Sequence, residues 1–241
     1  MWLEGDVYPS RTIVGDLSTP MALFVTSNGD LYVDNGANKR VNKWSVNTNQ
    51  SVPVMNVSAP CLGLFIDNSN SLYCSIYDTN QVVKMALDGT EIIPKVVAGN
   101  GTIGATPNTL NRPHGIFIDE DCNLYVADTD NHRIQKFRHG QLNGTTLIEN
   151  GIGGILMWYP IHIVLDADGY LFITEYATNR ITRLGLNGYQ CILGCYGKGS
   201  TSYQLNHPRM LSFDSHGNIY VIDGDNHRLQ KFLLTSNSCG K

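Results

Sequence analysis

The chain of 241 residues has no run of about 18 apolar residues, so nothing in it reads as a membrane-spanning helix. Charge is sparse: 16% of residues are Asp, Glu, Lys or Arg, the formal net charge is −4, and no Lys/Arg block interrupts the pattern. That speaks against a nucleic-acid footprint, which needs clustered cations to displace counterions from phosphate. Met1–Ser10 carries acidic residues and no apolar stretch, unlike a secretory signal. The six cysteines include no metal-type C-x-x-C pair. Absent too are a phosphate loop, a nucleophile–base pair at recognisable spacing and paired carboxylates in distinct environments, the usual marks of catalysis. Asn49, Asn56, Asn100 and Asn143 head N-x-S/T sequons, about as many as chance supplies, so they leave the compartment open. An extracellular setting would follow only from membership of a larger secreted or membrane protein.

What the chain has is repetition. A block of 25 residues recurs at 20–44, 61–85, 113–137, 160–184 and 208–232, with starts 41, 52, 47 and 48 residues apart. In the third copy Ile116–Ile118 and Leu124–Val126 are short apolar runs separated by the polar turn Asp119–Asn123, and Arg133–Phe137 is a mixed third run. Two apolar strands joined by a tight turn make a hairpin buried on both faces. A gradient from apolar to mixed strands suits sheets stacked radially about an axis, whereas a sandwich strand alternates in and out. The period and the strand count predict an all-β propeller of four-stranded antiparallel blades, a single domain over 1–241. Gly29, Asn70, Cys122, Gly169 and Gly217 share the turn column; Gly and Asn suit positive φ there, and Cys122 is the exception. The aromatic column Tyr32, Tyr73, Tyr125, Phe172 and Tyr220 reads as packing between blades.

Fourth strands are expected at Ile92–Gly99, Thr146–Gly151 and Cys191–Tyr196. Residues 11–15 look like another, with no block before them. Either they form the outer strand of the last blade and close a five-bladed ring, or the ring is an incomplete six-bladed one that closes with an upstream segment. In the second arrangement Met1-Trp2 is the end of a third strand, matching Lys43-Trp44.

The run Leu-Tyr-Val-Ala-Asp-x-x-Asn-His-Arg-Ile-Gln-Lys-Phe at 124–137, echoed by Asn226-His227-Arg228-Leu229, resembles the NHL repeat. Copies at Asn38–Val41 and Asn179–Ile181 are looser, and Thr79–Val82 is degenerate. The resemblance implies a β-propeller, usually of six blades, whose relatives bind protein or RNA in tripartite-motif ubiquitin ligases, sense ligands outside the cell, or finish peptide amidation as a zinc lyase. A scaffold of such varied use does not settle function, which must come from a site.

Two sets of residues are candidates. Asp128, Glu175 and Asp223 share one column, and Arg133, Arg180 and Arg228 another five residues on; both partners are lost together in block two, as Ile76 and Gln81. Joint loss predicts structural ion pairs that fix the loop between second and third strands. On the loop face, His114, Asp130, Arg209 and Asp225 are expected to contact a ligand. The alternative is a metal site of His114, His162 and His207, whose differing offsets from their prolines place them at different depths. Cys61 and Cys74 share a hairpin, but an unbroken register leaves them roughly 10 Å apart, too far for a bridge, so Cys74 reads as a buried thiol. Cys191 and Cys195 need a bend to meet, and Cys239 is free to pair elsewhere. The reading that follows is a non-enzymatic interaction module with a protein or peptide partner and no cofactor, nucleic acid or membrane insertion. A zinc-dependent lyase or hydrolase is the first alternative and RNA binding the second.

Overall fold

The structure, a computed structural model, describes residues 17–45, 50–89 and 92–233. It is an all-β propeller of five antiparallel blades. Blade I contains β1 (Leu23–Val25), β2 (Leu31–Asn35), β3 (Arg40–Trp44) and β4 (Ser51–Asn56). Blade II contains β5 (Cys61–Ile66), β6 (Ser71–Ile76), β7 (Gln81–Ala86) and β8 (Lys95–Ala98). Blade III follows with β9 (Pro113–Ile118), β10 (Leu124–Asp128), β11 (Arg133–Phe137) and β12 (Thr145–Glu149). Blade IV is β13 (Pro160–Leu165), β14 (Leu171–Glu175), β15 (Arg180–Gly185) and β16 (Gly188–Leu193). Among the described residues blade V has three strands, β17 (Pro208–Phe213), β18 (Ile219–Asp223) and β19 (Arg228–Phe232). The expected strand at 11–15 lies outside the described residues.

The outer strands complete one expectation and correct another. β4 fills the fourth-strand place of blade I, for which no range is expected from sequence alone; Pro53 lies within it, and an outermost strand tolerates the missing N–H. β16 starts three residues earlier than expected, drawn in by the tight turn at Gly188 (φ 82°). The inner turns adopt the left-handed backbone that their column requires, with φ of 86° at Gly29, 55° at Asn70, 80° at Gly169 and 79° at Gly217. Cys122 shares it at 60°, a conformation in which its Cβ is strained.

Apolar clusters fill the spaces between blades rather than the blades themselves. Tyr32 of blade I packs with Leu64, Leu72 and Cys74 of blade II. Tyr73 then packs with Ile116 and Val126, Tyr125 with Ile163 and Ile173, and Phe172 with Leu211 and Val221. Each aromatic thus cements its blade to the next, at burial energies of about 1.5–3 kcal/mol for a large side chain. The five inner strands converge on a central cavity of about 350 Å³. Phe24, Phe65 and Phe117 form a ladder along its wall, the first pair tilted and the second edge-to-face, with ring centroids 5.3 and 5.0 Å apart.

A disulfide joins Cys61 and Cys74, with Cα atoms 5.4 Å apart, and this overturns the reading of Cys74 as a thiol. The reason is a β-bulge: Cys61 opposes Ile76 while Gly63 opposes Ser75, so Leu62 is an extra residue and the ideal register breaks. A second disulfide, Cys191–Cys195, closes across Gly194 (φ 72°), the bend that pair needs. Cys122 is a free thiol.

Candidate functional site

The bulge recurs in blades II to V, and it builds the site. Pro160 opposes Glu175 and His162 opposes Thr174; Pro208 opposes Asp223 and Met210 opposes Ile222; in blade III the shift falls between Val126 and Asp128. Each bulge therefore expels the second residue of an inner strand from the ladder. Those residues are Leu62, His114, Ile161 and Arg209, a bulge being a device that re-aims a side chain. His114 and Arg209 reach the loop face for this reason.

Beside three of the four expelled residues, His114, Ile161 and Arg209, the residue ahead of the strand takes a left-handed backbone: φ is 54° at Arg112, 50° at Tyr159 and 49° at His207. The preceding blade holds it there. Arg112 donates its N–H to Asn80 Oδ1 (2.9 Å) and His207 to Asn179 Oδ1 (2.8 Å), while Tyr159 donates to His132 Nδ1 (3.3 Å). Asn80, His132 and Asn179 are themselves left-handed, at φ 56°, 52° and 59°. At the first junction both halves of this clamp change together: Lys39 offers no acceptor and Pro60 no N–H.

The clamps gather aromatic, imidazole and guanidinium groups at successive junctions. Between blades II and III, Tyr77 meets His114 edge-on at 5.3 Å, and the Arg112 guanidinium lies 5.1 Å from its ring centroid. Between blades IV and V, Tyr176 stacks on His207 at 4.5 Å, with Arg209 at 5.7 Å. The two junctions use the same three side-chain types with Arg and His exchanged. Between III and IV, His132 packs against Trp158 (4.4 Å) and Tyr159 (4.9 Å). Asp130 lies 3.3 Å from Arg112, and Asp225 lies 2.5 Å from His207 Nδ1. Burial, helped by the positive field of Arg209, pushes His114 down to about 4, so its imidazole is neutral near pH 7.

The carboxylate and guanidinium columns lie beside this surface and serve the loops. Asp128 Oδ2 lies 2.7 Å from Arg133 Nε, Asp223 Oδ2 lies 2.8 Å from Arg228 Nε, and Glu175 Oε2 lies 3.3 Å from Arg180 Nε. Arg133 also donates to the carbonyls of Ala105, Thr106 and Thr109, and Arg228 to those of Ser200, Thr201 and Gln204. Arg180 reaches the Leu156 carbonyl. These side chains tie the loop that enters each inner strand to the turn behind it.

Of the residues expected at a ligand, His114 and Asp130 lie at the II/III junction and Arg209 and Asp225 at IV/V. Sequence reasoning missed Tyr77, Arg112, Trp158, Tyr159 and Tyr176. Tyr77 and Tyr176 occupy one column, which was a legible signal; the others depend on the bulge. No group of three His, Cys, Asp or Glu side chains able to hold a metal occurs among the described residues, so His114, His162 and His207 are not brought together as ligands. His162 lines the central cavity instead, with burial pushing it down to about 4.

Comparison with known proteins agrees with this architecture. The NHL repeat family model matches residues 110–137 and 205–232. The E3 ubiquitin-protein ligase TRIM32 of Homo sapiens is 24% identical over 148 residues, 57% of this chain and 22% of that protein; the Mus musculus protein is 24% identical over 144 residues. The chain thus spans about a fifth of the length of these curated relatives. Among solved structures, a nidogen/laminin complex superposes with a TM-score of 0.68 at 17% identity, over 89% of this chain and 76% of that one. Virginiamycin B lyase from Staphylococcus aureus superposes at 0.62 and 14%, over 91% and 71%. Such distant likenesses carry the fold alone.

Proposed function

We propose that this chain, an NHL-repeat β-propeller, is an interaction module that binds an extended segment of a partner protein across its loop face. The observation that carries this reading is the repeated grouping at two junctions of Tyr, His and Arg, with Trp158 and Tyr159 between them. Trp, Tyr and Arg dominate the energetics of protein interfaces, because they combine large area with few rotors and a directed polar end. Strained, left-handed residues at Arg112, Tyr159 and His207 hold these groups in place before a partner arrives. The sequence likeness to a ubiquitin ligase's propeller-matching segment is in keeping with the same class of role. Asp130 pairs with Arg112 and Asp225 contacts His207, so carboxylates offset the cations of this surface and weaken the case for an RNA ligand, which needs clustered unpaired cations.

A phage-displayed random peptide library panned against the purified chain tests this. Selected peptides should bind the parent and lose at least tenfold in affinity to Tyr176→Ala/Arg209→Ala, with Tm unchanged. Equal binding to parent and variant would place recognition elsewhere and overturn the reading.

A further inference from the structure

The central cavity is separate from the loop face: none of the aromatic, imidazole or guanidinium groups gathered at the blade junctions lines it. Its volume of about 350 Å³ lies in the range of small-molecule sites. The Phe24–Phe65–Phe117 ladder forms much of the wall, with Leu64, Ile163 and Leu211. Of the residues that line it, only His162 and Ser212 have polar side chains, and none is Asp, Glu, Lys or Arg.

One column of the repeat explains why room exists there. Ala22, Gly63, Gly115, His162 and Met210 occupy the third position of successive blocks. A Cβ on Gly63 would come within 2.7 Å of the His114 carbonyl oxygen, and one on Gly115 within 2.7 Å of His162 Cα. The missing side chains let β9 close on β5, and β13 on β9. An imidazole in the same column of blade IV forbids that approach, and β17 packs on β13 more loosely. The space is left beside the group that creates it.

His162 is buried, yet its ring makes no hydrogen bond among the described residues. Nδ1 is covered and unpartnered, so Nε2 is the nitrogen that stays open to the cavity. Burial keeps the ring neutral near pH 7, with one nitrogen a donor and the other an acceptor. A polar ring left unpaired in an apolar wall destabilises the fold, and a ligand that pairs it recovers that loss.

These features select the ligand. An ion is excluded, because no charge in the wall offsets its loss of water. A hydrocarbon leaves the imidazole unpaired. A hydroxyl satisfies Nε2 in either tautomer, since it both donates and accepts. The phenylalanine ladder suits a flat aromatic ring, which gains from tilted and edge-on contact. We propose that the central cavity binds a small neutral aromatic alcohol, its hydroxyl bonded to His162 and its ring packed on Phe65 and Phe117. The ligand enters past Leu23 and Val25, which line the cavity and are 55% and 56% exposed.

Equilibrium dialysis of the purified chain at pH 7 against 2-naphthol, naphthalene and 2-naphthoate tests this. 2-Naphthol should bind at least about fivefold more tightly than naphthalene, and 2-naphthoate should not bind. His162→Leu should lower 2-naphthol to the affinity of naphthalene. Ser212→Trp, which fills the cavity from β17, should weaken both. The loop-face variant Tyr176→Ala/Arg209→Ala should bind 2-naphthol as the parent does. Absence of 2-naphthol binding, or equal affinity of the parent for 2-naphthol and naphthalene, overturns the proposal. So does a preference that survives His162→Leu, or binding undiminished by Ser212→Trp. The comparison of ligands on the parent stands whether or not His162→Leu folds.

Discussion

One histidine and one aspartate, His162 and Asp34, carry opposite pH signatures within the same fold. His162 lines the central cavity with Nδ1 buried and without a hydrogen-bond partner, and burial holds it near 4. The unfolded chain takes up that proton near pH 6.5, so between about 6.5 and 4 the unfolded state binds more protons. Its neutral form therefore stabilises the fold at pH 7, and that stability is lost as pH falls through the window. At 1.36 kcal/mol per unit, the loss from pH 6.5 to 5 reaches about 2 kcal/mol. Urea unfolding of His162→Gln at pH 7 and pH 5 should show a smaller acid loss than the parent; an identical loss would refute the assignment. Asp34 has the reverse sign. Burial pushes it up to about 6 despite N–H donors from Cys61 and Met21, so stability falls as pH rises from about 4 to 6. Asp34→Asn should remove that fall, measured over the same range. The buried Asp128–Arg133 pair makes a third residue-scale prediction. Arg133→Met leaves Asp128, fully buried, without its cation and should cost about 3–5 kcal/mol in urea unfolding. An effect below 1 kcal/mol would show that the carboxylate is satisfied by Asn111 and Asn131 alone.

The strand pair, with its turn and bulge, is the unit at which this molecule repeats, and legibility differs sharply within it. Inner hairpins were readable because apolar runs such as Ile116–Ile118 and Leu124–Val126 are punctuated by residues that tolerate a left-handed turn. β-bulges left no such mark: Leu62, His114, Ile161 and Arg209 share no residue type, and a shift of register is a property of the pair, not of one strand. This one omission hid both the Cys61–Cys74 disulfide and the reason His114 and Arg209 reach the loop face. The clamp between blades was equally hidden, since its donors are backbone groups of Arg112 and His207 and only its acceptors are side chains. Asn80→Ala should cost about 1–2 kcal/mol, through a lost hydrogen bond and a strained left-handed alanine. Lys39→Ala should cost less than half of that, because Pro60 provides no N–H to lose. Equal effects at the two positions, compared by thermal unfolding, would show that the clamp contributes nothing.

For the whole molecule, stability is set by how many neighbours a blade has. Blades II, III and IV are cemented on both faces, each by a cluster that includes an aromatic from one side. Among the described residues blade V, like blade I, is cemented on one face, and its β19 alternates between half-buried and exposed residues, where β11 of blade III is buried at all but one position. In repeat arrays, local opening begins where a unit lacks a neighbour, since only one interface must be broken to release it. Amide hydrogen exchange should therefore be fastest in β18 and β19 and slowest in β6, β10 and β14, with protection falling from blade IV to blade V. The ordering separates two origins of that mobility. If the open face of blade V is the cause, Leu229→Asp leaves exchange in β18 unchanged, because an exposed leucine had nothing to lose. If blade V is weak internally, with Ile219 and Phe232 poorly packed against Phe172, then Phe172→Leu accelerates β18 without touching β10. Uniform protection across all five blades would mean that blade V finds a second neighbour in solution, and the molecule would then have to be described as a closed ring.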